Sequence, residues 1–326
     1  MENLKQNPIV KKLGLNRILL VCVLILMFLV FKVVLGNKFP AVDSIKSTLN
    51  YVYFLGFLSL GVTFVIATGG IDFSIGPVMF CCALISGYTL TTHGISMPVA
   101  ILISILVGFA FGLFNGYLVA YWSVPSFITS MASMNIAKGL ASVYTKTQSV
   151  SWPQAADPDN GWFRNLVRYN GVPVGLVILL VVAVVCAIIL NKTRIGRYIL
   201  CLGSNSEAVR LSGVDTKKWN MLAYVICGFF AGLASIAYSA IFATVQPGSG
   251  AGFELEAIGG AIIGGVSMTG GVGSITGTLF GVFVICLLKT GLPFIGLTAN
   301  WQQIITGFVL IAAVLVDILK RKAGKE

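Results

Sequence analysis

The sequence predicts an all-α polytopic membrane protein of about ten transmembrane helices, and three observations carry that reading. Of its 326 residues 57% are hydrophobic and only 10% charged, whereas a soluble domain carries roughly 25% charged residues. Mean hydropathy is +0.93. Apolar runs of about 18 residues or more, the length of a membrane-crossing helix, recur along the chain. They are continuous rather than alternating, which excludes a closed β-barrel. Fourteen of the 22 basic residues cluster beside those runs.

The predicted spans cover 15–36, 49–68, 75–92, 97–121, 124–146, 172–191, 219–242, 254–270, 273–290 and 297–317. The first follows basic residues but exceeds a signal-peptide core and precedes no A-x-A site, so it reads as a retained signal anchor. An even number of spans puts both ends on one side. The basic clusters lie at the start (Lys5, Lys11, Lys12, Arg17), in the loop 192–218 (Lys192, Arg194, Arg197, Arg210, Lys217, Lys218) and at the end (Lys320, Arg321, Lys322, Lys325). Ten spans bring all three to the same face, which the positive-inside rule makes cytoplasmic. The chain thus reads as one membrane domain, 1–326, with both termini and 192–218 inside. Loop 147–171 lies outside, with Asp157 and Asp159 balancing Arg164 and Arg168, and with Trp152 and Trp162 suited to a membrane interface. The excess of +11 is therefore a matter of orientation, not nucleic-acid binding.

Six of the seven cysteines, Cys22, Cys81, Cys82, Cys186, Cys227 and Cys286, fall inside apolar runs, and Cys201 follows one. They read as small buried hydrophobes. With a single histidine, His93, the chain has no material for a metal centre or a His-based nucleophile. No catalytic residue is predicted. Glycines recur every fourth position at Gly108, Gly112, Gly116, at Gly273, Gly277, Gly281, and in the pairs Gly228/Gly232 and Gly260/Gly264. Small residues at that spacing let membrane helices approach closely. The spans within 254–290 are short and glycine-rich, and read either as full crossings or as re-entrant half-helices.

Acids inside lipid are costly and functional by default, so GGIDFSIGPV (69–78) raises a question. Gly69 and Gly70 break one helix, and Asp72 or Ser74 is placed to cap the next, with Pro77 in its first turn. A second stretch, PGSGAGFELEAIGG (247–260), repeats the device with Glu254 and Glu256. The two starts are five spans apart and are expected on opposite sides, which suggests an inverted 5+5 repeat. Each acid reads as a helix cap or as a substrate or ion-coupling group. Lys138 lies inside the fifth span and either snorkels to the outer interface or faces a wet cavity. The same span carries Thr129, Ser130, Ser133 and Asn135, so it should face a pathway rather than lipid. Asn115, Tyr117, Gln302 and Gln303 add amide and phenol groups that suit an uncharged polyol better than an ion.

No G-x-x-x-x-G-K-[ST] phosphate loop is present, and GGVGSITGT (270–278) lacks the lysine. ATP binding is therefore not expected of this chain, and transport would run on an ion gradient or on a partner. Within 191–220, NSEAVRLSGV reads as a short helix starting at Asn205 or Ser206 and ending near Gly213, either a docking element or a plain amphipathic connector.

Five stretches decide between these. GGIDFSIG (69–76), VPSFITSMASMNIAKGL (124–140), GSNSEAVRLSGV (203–214), AIGGAIIGGVSMTGGVGSITGTLFG (257–281) and WQQIITGFVLIAAVLVD (301–317) resemble, in order, the permease subunit of bacterial ABC importers for monosaccharides, the ribose/xylose/galactose-type family. The resemblance runs from about residue 45 onward. It implies inward transport of a simple sugar by alternating access in the bacterial cytoplasmic membrane. It implies a pore of two permeases, this chain with a second copy or a sister, and an extracytoplasmic sugar-binding protein. It also implies ABC ATPase subunits that bind the ATP and grip Asn205, Glu207, Ala208, Arg210, Leu211, Ser212 and Gly213. Asn115, Thr129, Ser130, Asn135, Lys138 and Gln302 are the candidate pathway residues, and Gly69, Gly70, Asp72, Ser74 and Glu254 the candidate hinge and caps. The rival readings are an ABC permease for nucleosides or amino acids, and an ion-coupled carrier using Asp72, Glu254 or Lys138.

Overall fold

A computed structural model describes residues 15–36 and 41–323. In chain order the helices are α1 (Leu15–Leu35), α2 (Ala41–Ala67), α3 (Ile75–His93), α4 (Met97–Tyr121), α5 (Ser126–Tyr144), α6 (Val174–Lys192), α7 (Arg194–Leu211), α8 (Thr216–Ile241), α9 (Phe253–Ile263), α10 (Ile275–Gly291) and α11 (Ala299–Ala323). Strands β1 (Val150–Ser151) and β2 (Thr244–Val245) pair antiparallel. The basic residues Lys5, Lys11, Lys12 and Lys325 lie outside the described residues.

Among the described residues, seven helices are long and apolar enough to cross a membrane: α2, α3, α4, α6, α8, α10 with the turn after it, and α11. The three other predicted spans differ for separate reasons. α1 is 21 residues long, and Val21–Val33 is the apolar stretch among its described side chains. α5 has the length, but its Thr129, Ser130, Ser133, Asn135 and Lys138 leave it too polar. The span expected at 254–270 is only 11 residues of helix, α9, about 16 Å long, which is half the ~30 Å apolar thickness of a bilayer. The apolar sequence runs on, but Gly265 takes φ +91°, so the chain turns there.

α2 and α8 form the interior. α2 packs against α8, α10 and α9, and α8 packs against α4, α2 and α3. Helix seams carry hydroxyl pairs: Thr48 with Thr290 at 2.7 Å, Thr63 with Thr278 at 2.9 Å, and Ser86 with Ser104 at 2.7 Å. The glycine spacing has the expected consequence. A Cβ added at Gly228 would sit 2.7 Å from the backbone of Gly112, and one at Gly281 would sit 2.8 Å from Gly264 N. The glycine rows of α4 and α8, and of α9 and α10, therefore touch backbone to backbone.

At one end of the bundle, 147–171 folds as a cap. The Arg164 guanidinium donates to the carbonyls of Pro153, Ser239 and Ala240 at 2.8–2.9 Å, locking this cap to the end of α8. Trp152 corrects the expectation of an interface residue: it is 1% exposed and stacks on Phe163 at 5.1 Å. Trp162 is exposed. Cys22 and Cys201 are exposed, and the other five cysteines are buried and unpaired.

Candidate functional site

The two glycine-broken helix starts meet. Gly69 takes φ +84°, residues 70–74 lie outside any helix with a bend at Phe73, and α3 begins after Ser74. Asp72 Oδ1 accepts from Ser74 N at 2.8 Å and from Ser74 Oγ at 2.6 Å. Asp72 thus fixes the turn before the helix, a local version of the cap its position predicted. Gly248, Gly250 and Gly252, all at positive φ, lead into α9, and Glu254 Oε1 accepts from Gly252 N at 3.0 Å. A Cβ at Gly76 would meet Glu254 Oε2 and the Gly250 carbonyl at 2.8 Å, and Phe80 stacks on Phe253 at 5.9 Å. The starts expected on opposite sides are therefore in contact, each after a non-helical segment broken by glycine.

From Asp72 a buried polar chain crosses three helices. Asn115 Nδ2 on α4 donates to Ser74 Oγ at 2.9 Å, and Ser133 Oγ on α5 donates to Asn115 Oδ1. Asn115 is 1% exposed, so here it ties α3, α4 and α5 together rather than lining open space. Thr129 and Ser130 are likewise buried, Ser130 donating to Phe127 O at 3.2 Å. Asn135 is exposed and donates to Met131 O at 3.2 Å. Lys138 is half-buried and within electrostatic reach of Glu254. Gln302 stands apart on α11 and lines a separate cavity against the first turn of α9. Among the described residues no cluster of His, Cys, Asp or Glu is arranged to hold a metal.

The segment predicted as a short helix is longer. Thr193 and Asp215 cap α7 and α8, and α7 kinks at Asn205, where φ is −159° and ψ 93°. Asn205 Oδ1 accepts from Ala208 N at 3.0 Å, restarting the helix where the sequence placed its start. Arg210 donates to Glu207 at 3.0 and 2.5 Å, holding that exposed carboxyl below its ordinary value. Gly213 ends the segment at φ +80°.

Sequence reasoning missed Gly203, one turn before this segment. A Cβ there would collide with Ala67 O and Gly271 N, and would lie 2.9 Å from Gly270 Cα. α7 is thus seated directly on the chain that leads to Gly69, Gly70 and Asp72, where Gly271 N also donates to Ala67 O at 3.0 Å. Gly69 and Gly70 line a cavity of about 440 Å³ with Ser126, Asn220 and Tyr224. Also missed was the ion pair of Lys289 and Glu256, at 2.6 Å. A lone base inside an apolar run was its signal.

A family model for the permease component of branched-chain amino acid transport systems matches residues 44–314. The ribose import permease protein RbsC of Escherichia coli K12 is 34% identical over 290 residues, 88% of this chain and 89% of that protein. RbsC of Bacillus subtilis 168 is 31% identical over 287 residues, 87% of each chain. The fructose import permease protein FrcC of Rhizobium meliloti is 30% identical over 309 residues, 93% of this chain and 85% of that one. No solved structure matches. A multi-pass helical protein whose described helices carry this match almost from end to end belongs to that permease family.

Proposed function

We propose that the chain is the permease subunit of an ATP-binding-cassette importer in a bacterial cytoplasmic membrane, and that it passes a neutral monosaccharide inward by alternating access. The observation that carries this is the near full-length likeness to import permeases for ribose and fructose. The chain has no phosphate loop of its own, so partner ATPases would supply the energy and an extracytoplasmic binding protein the sugar. A second copy or a sister permease would complete the pore.

The mechanism follows from what touches what. The ATPases would grip Asn205, Glu207, Ala208, Arg210, Leu211, Ser212 and Gly213 on the second half of α7. Movement of α7 would pass through Gly203 to Ala67 and the Gly69–Gly70 hinge, then along Asp72, Ser74, Asn115 and Ser133 to α5. α5, with Thr129, Ser130, Ser133, Asn135 and Lys138 along it, would present Asn135 and Lys138 to the sugar, with Thr129 and Ser130 uncovered as it shifts. The meeting of the α3 and α9 starts supports an inverted 5+5 arrangement of ten crossings, the eighth being non-helical chain followed by α9. Both termini and 192–218 would then be cytoplasmic and 147–171 extracytoplasmic.

The test is cross-linking from Ala208→Cys in a Cys201→Ser background. The expected result is a covalent adduct with the ATPase whose yield changes on ATP binding. An active importer that gives no adduct from any position in 205–213 would overturn the docking assignment. Uptake that follows a proton gradient without ATPase would instead favour Asp72, Glu254 or Lys138 as an ion-coupling group.

A further inference from the structure

The ion pair of α9 and α10 belongs to a site the pathway described above does not use. Glu256, Lys289, Gln302, Gln303 and Thr306 line one cavity of about 390 Å³, with Leu255 and Leu310 as its apolar wall. That volume lies within the ~300–1,000 Å³ of small-molecule sites. Lys289 Nζ donates to Glu256 Oε1 at 2.6 Å and lies 4.3 Å from the Phe253 ring centroid and 5.1 Å from that of Tyr51. These contacts hold both charges in place. Glu256 Oε2 is buried and, among the described residues, has no hydrogen-bond partner. That oxygen has no surface open to the cavity, so the neutral polar groups on offer are the Gln302 and Gln303 amides and the Thr306 hydroxyl. Among the described residues Gln302 donates to Leu297 O at 3.4 Å and its amide carbonyl accepts no hydrogen bond, and Gln303 is exposed to the cavity side.

The chemistry of this set is narrow. The carboxylate and ammonium cancel, so neither an anion nor a cation is favoured. The amides of Gln302 and Gln303 each carry a donor and an acceptor for hydroxyl groups. The leucines suit the C–H face of a sugar ring. The position is also suited to a first encounter. α10 ends and α11 begins here, and Tyr51 packs on Phe242 at 6.0 Å, beside the α8 end that Arg164 clamps to the 147–171 cap.

We propose that this cavity is a binding subsite for a neutral polyhydroxylated molecule of monosaccharide size, held by Gln302, Gln303 and Thr306 beside the fixed Glu256–Lys289 pair. As a station on a sugar's route it rests on the import reading; as a binding site it does not. Two measurements separate them. In the complete importer, uptake of labelled ribose and fructose is compared for wild type, Gln303→Leu and Thr306→Val, and for the paired change Glu256→Gln with Lys289→Met, which leaves no lone charge. The expected result is a rise in KM of about tenfold, the size of one lost hydrogen bond, at unchanged thermal stability. In the permease alone, with Cys22→Ser and Cys201→Ser, maleimide labelling of Gln303→Cys should be slowed by ribose or fructose and not by betaine or sulfate. Wild-type kinetics in all variants together with no protection by sugar overturns the subsite. Protection by betaine or sulfate instead of sugar overturns the polyol assignment. Protection by sugar with no uptake by the wild-type importer overturns the import reading and leaves the subsite standing.

Discussion

Adding one methyl group at Gly203 tests whether α7 is mechanically seated on the hinge. Three backbone atoms, Ala67 O, Gly271 N and Gly270 Cα, surround the position of the new carbon, the last at 2.9 Å. Ordinary contact begins at 3.4 Å. Backbone atoms cannot rotate away, so α7 must lift by roughly 0.5–1 Å, which forfeits about a quarter to a half of each dispersion well along that seam. Overpacking of this kind costs about 1–3 kcal/mol, or roughly 5- to 150-fold in an equilibrium constant. Gly203→Ala should therefore lower the thermal midpoint of the purified permease and, in the reconstituted importer, lower sugar moved per ATP hydrolysed more than it lowers ATP hydrolysis. Gly139→Ala is the control, because nothing lies within 4 Å of its Cβ position. It should be neutral or gain up to about 1 kcal/mol from helix propensity. A Gly203→Ala protein with wild-type stability and wild-type coupling would refute the seating argument.

Further consequences can be measured alongside. Gly228→Ala should destabilise by about 1–3 kcal/mol in chemical unfolding, since its Cβ would lie 2.7 Å from the Gly112 backbone and force α4 from α8. Asn115→Leu leaves Ser133 without its acceptor and Ser74 with Asp72 alone, and should cost about 1–3 kcal/mol by the same assay. Gly213→Val should uncouple transport through backbone strain of about 1 kcal/mol at φ +80°, while Gly213→Asn, which tolerates that conformation, restores most uptake. Because Arg210 depresses the Glu207 carboxyl below 4.5, their pairing is fully present above the unfolded value and is lost only as pH falls through the lower folded one. Hydrogen exchange in 206–213, corrected for intrinsic rates, should thus be flat from about pH 8 to 6 and accelerate in stronger acid.

How much of this was legible in the sequence differs by element, for physical reasons. The glycine rows were legible because helical spacing alone puts every fourth residue on one face. The restart at Asn205 and the stop at Gly213 were legible because capping chemistry is local. So was the role of Asp72 beside its own turn. The contact between Gly76 and Glu254 was not, since nothing local tells how far a non-helical segment carries the chain into a bundle. The halved length of α9 was hidden because IIGGVSM is apolar on both sides of Gly265, and hydropathy does not register a positive φ. Trp152 was misassigned because aromatic residues near membrane ends are read as interfacial, whereas β1 and β2 draw this one under a cap. The pairing of Glu256 with Lys289 depends on the antiparallel packing of α9 on α10, which no single stretch encodes.

The measurement that bears most directly on the central claim is uptake of labelled ribose and fructose into proteoliposomes holding this permease, with and without the partner ATPase and ATP. The account predicts uptake only with both, abolished by Arg210→Glu while the permease remains folded. Uptake without ATPase that follows an imposed ion gradient would contradict it.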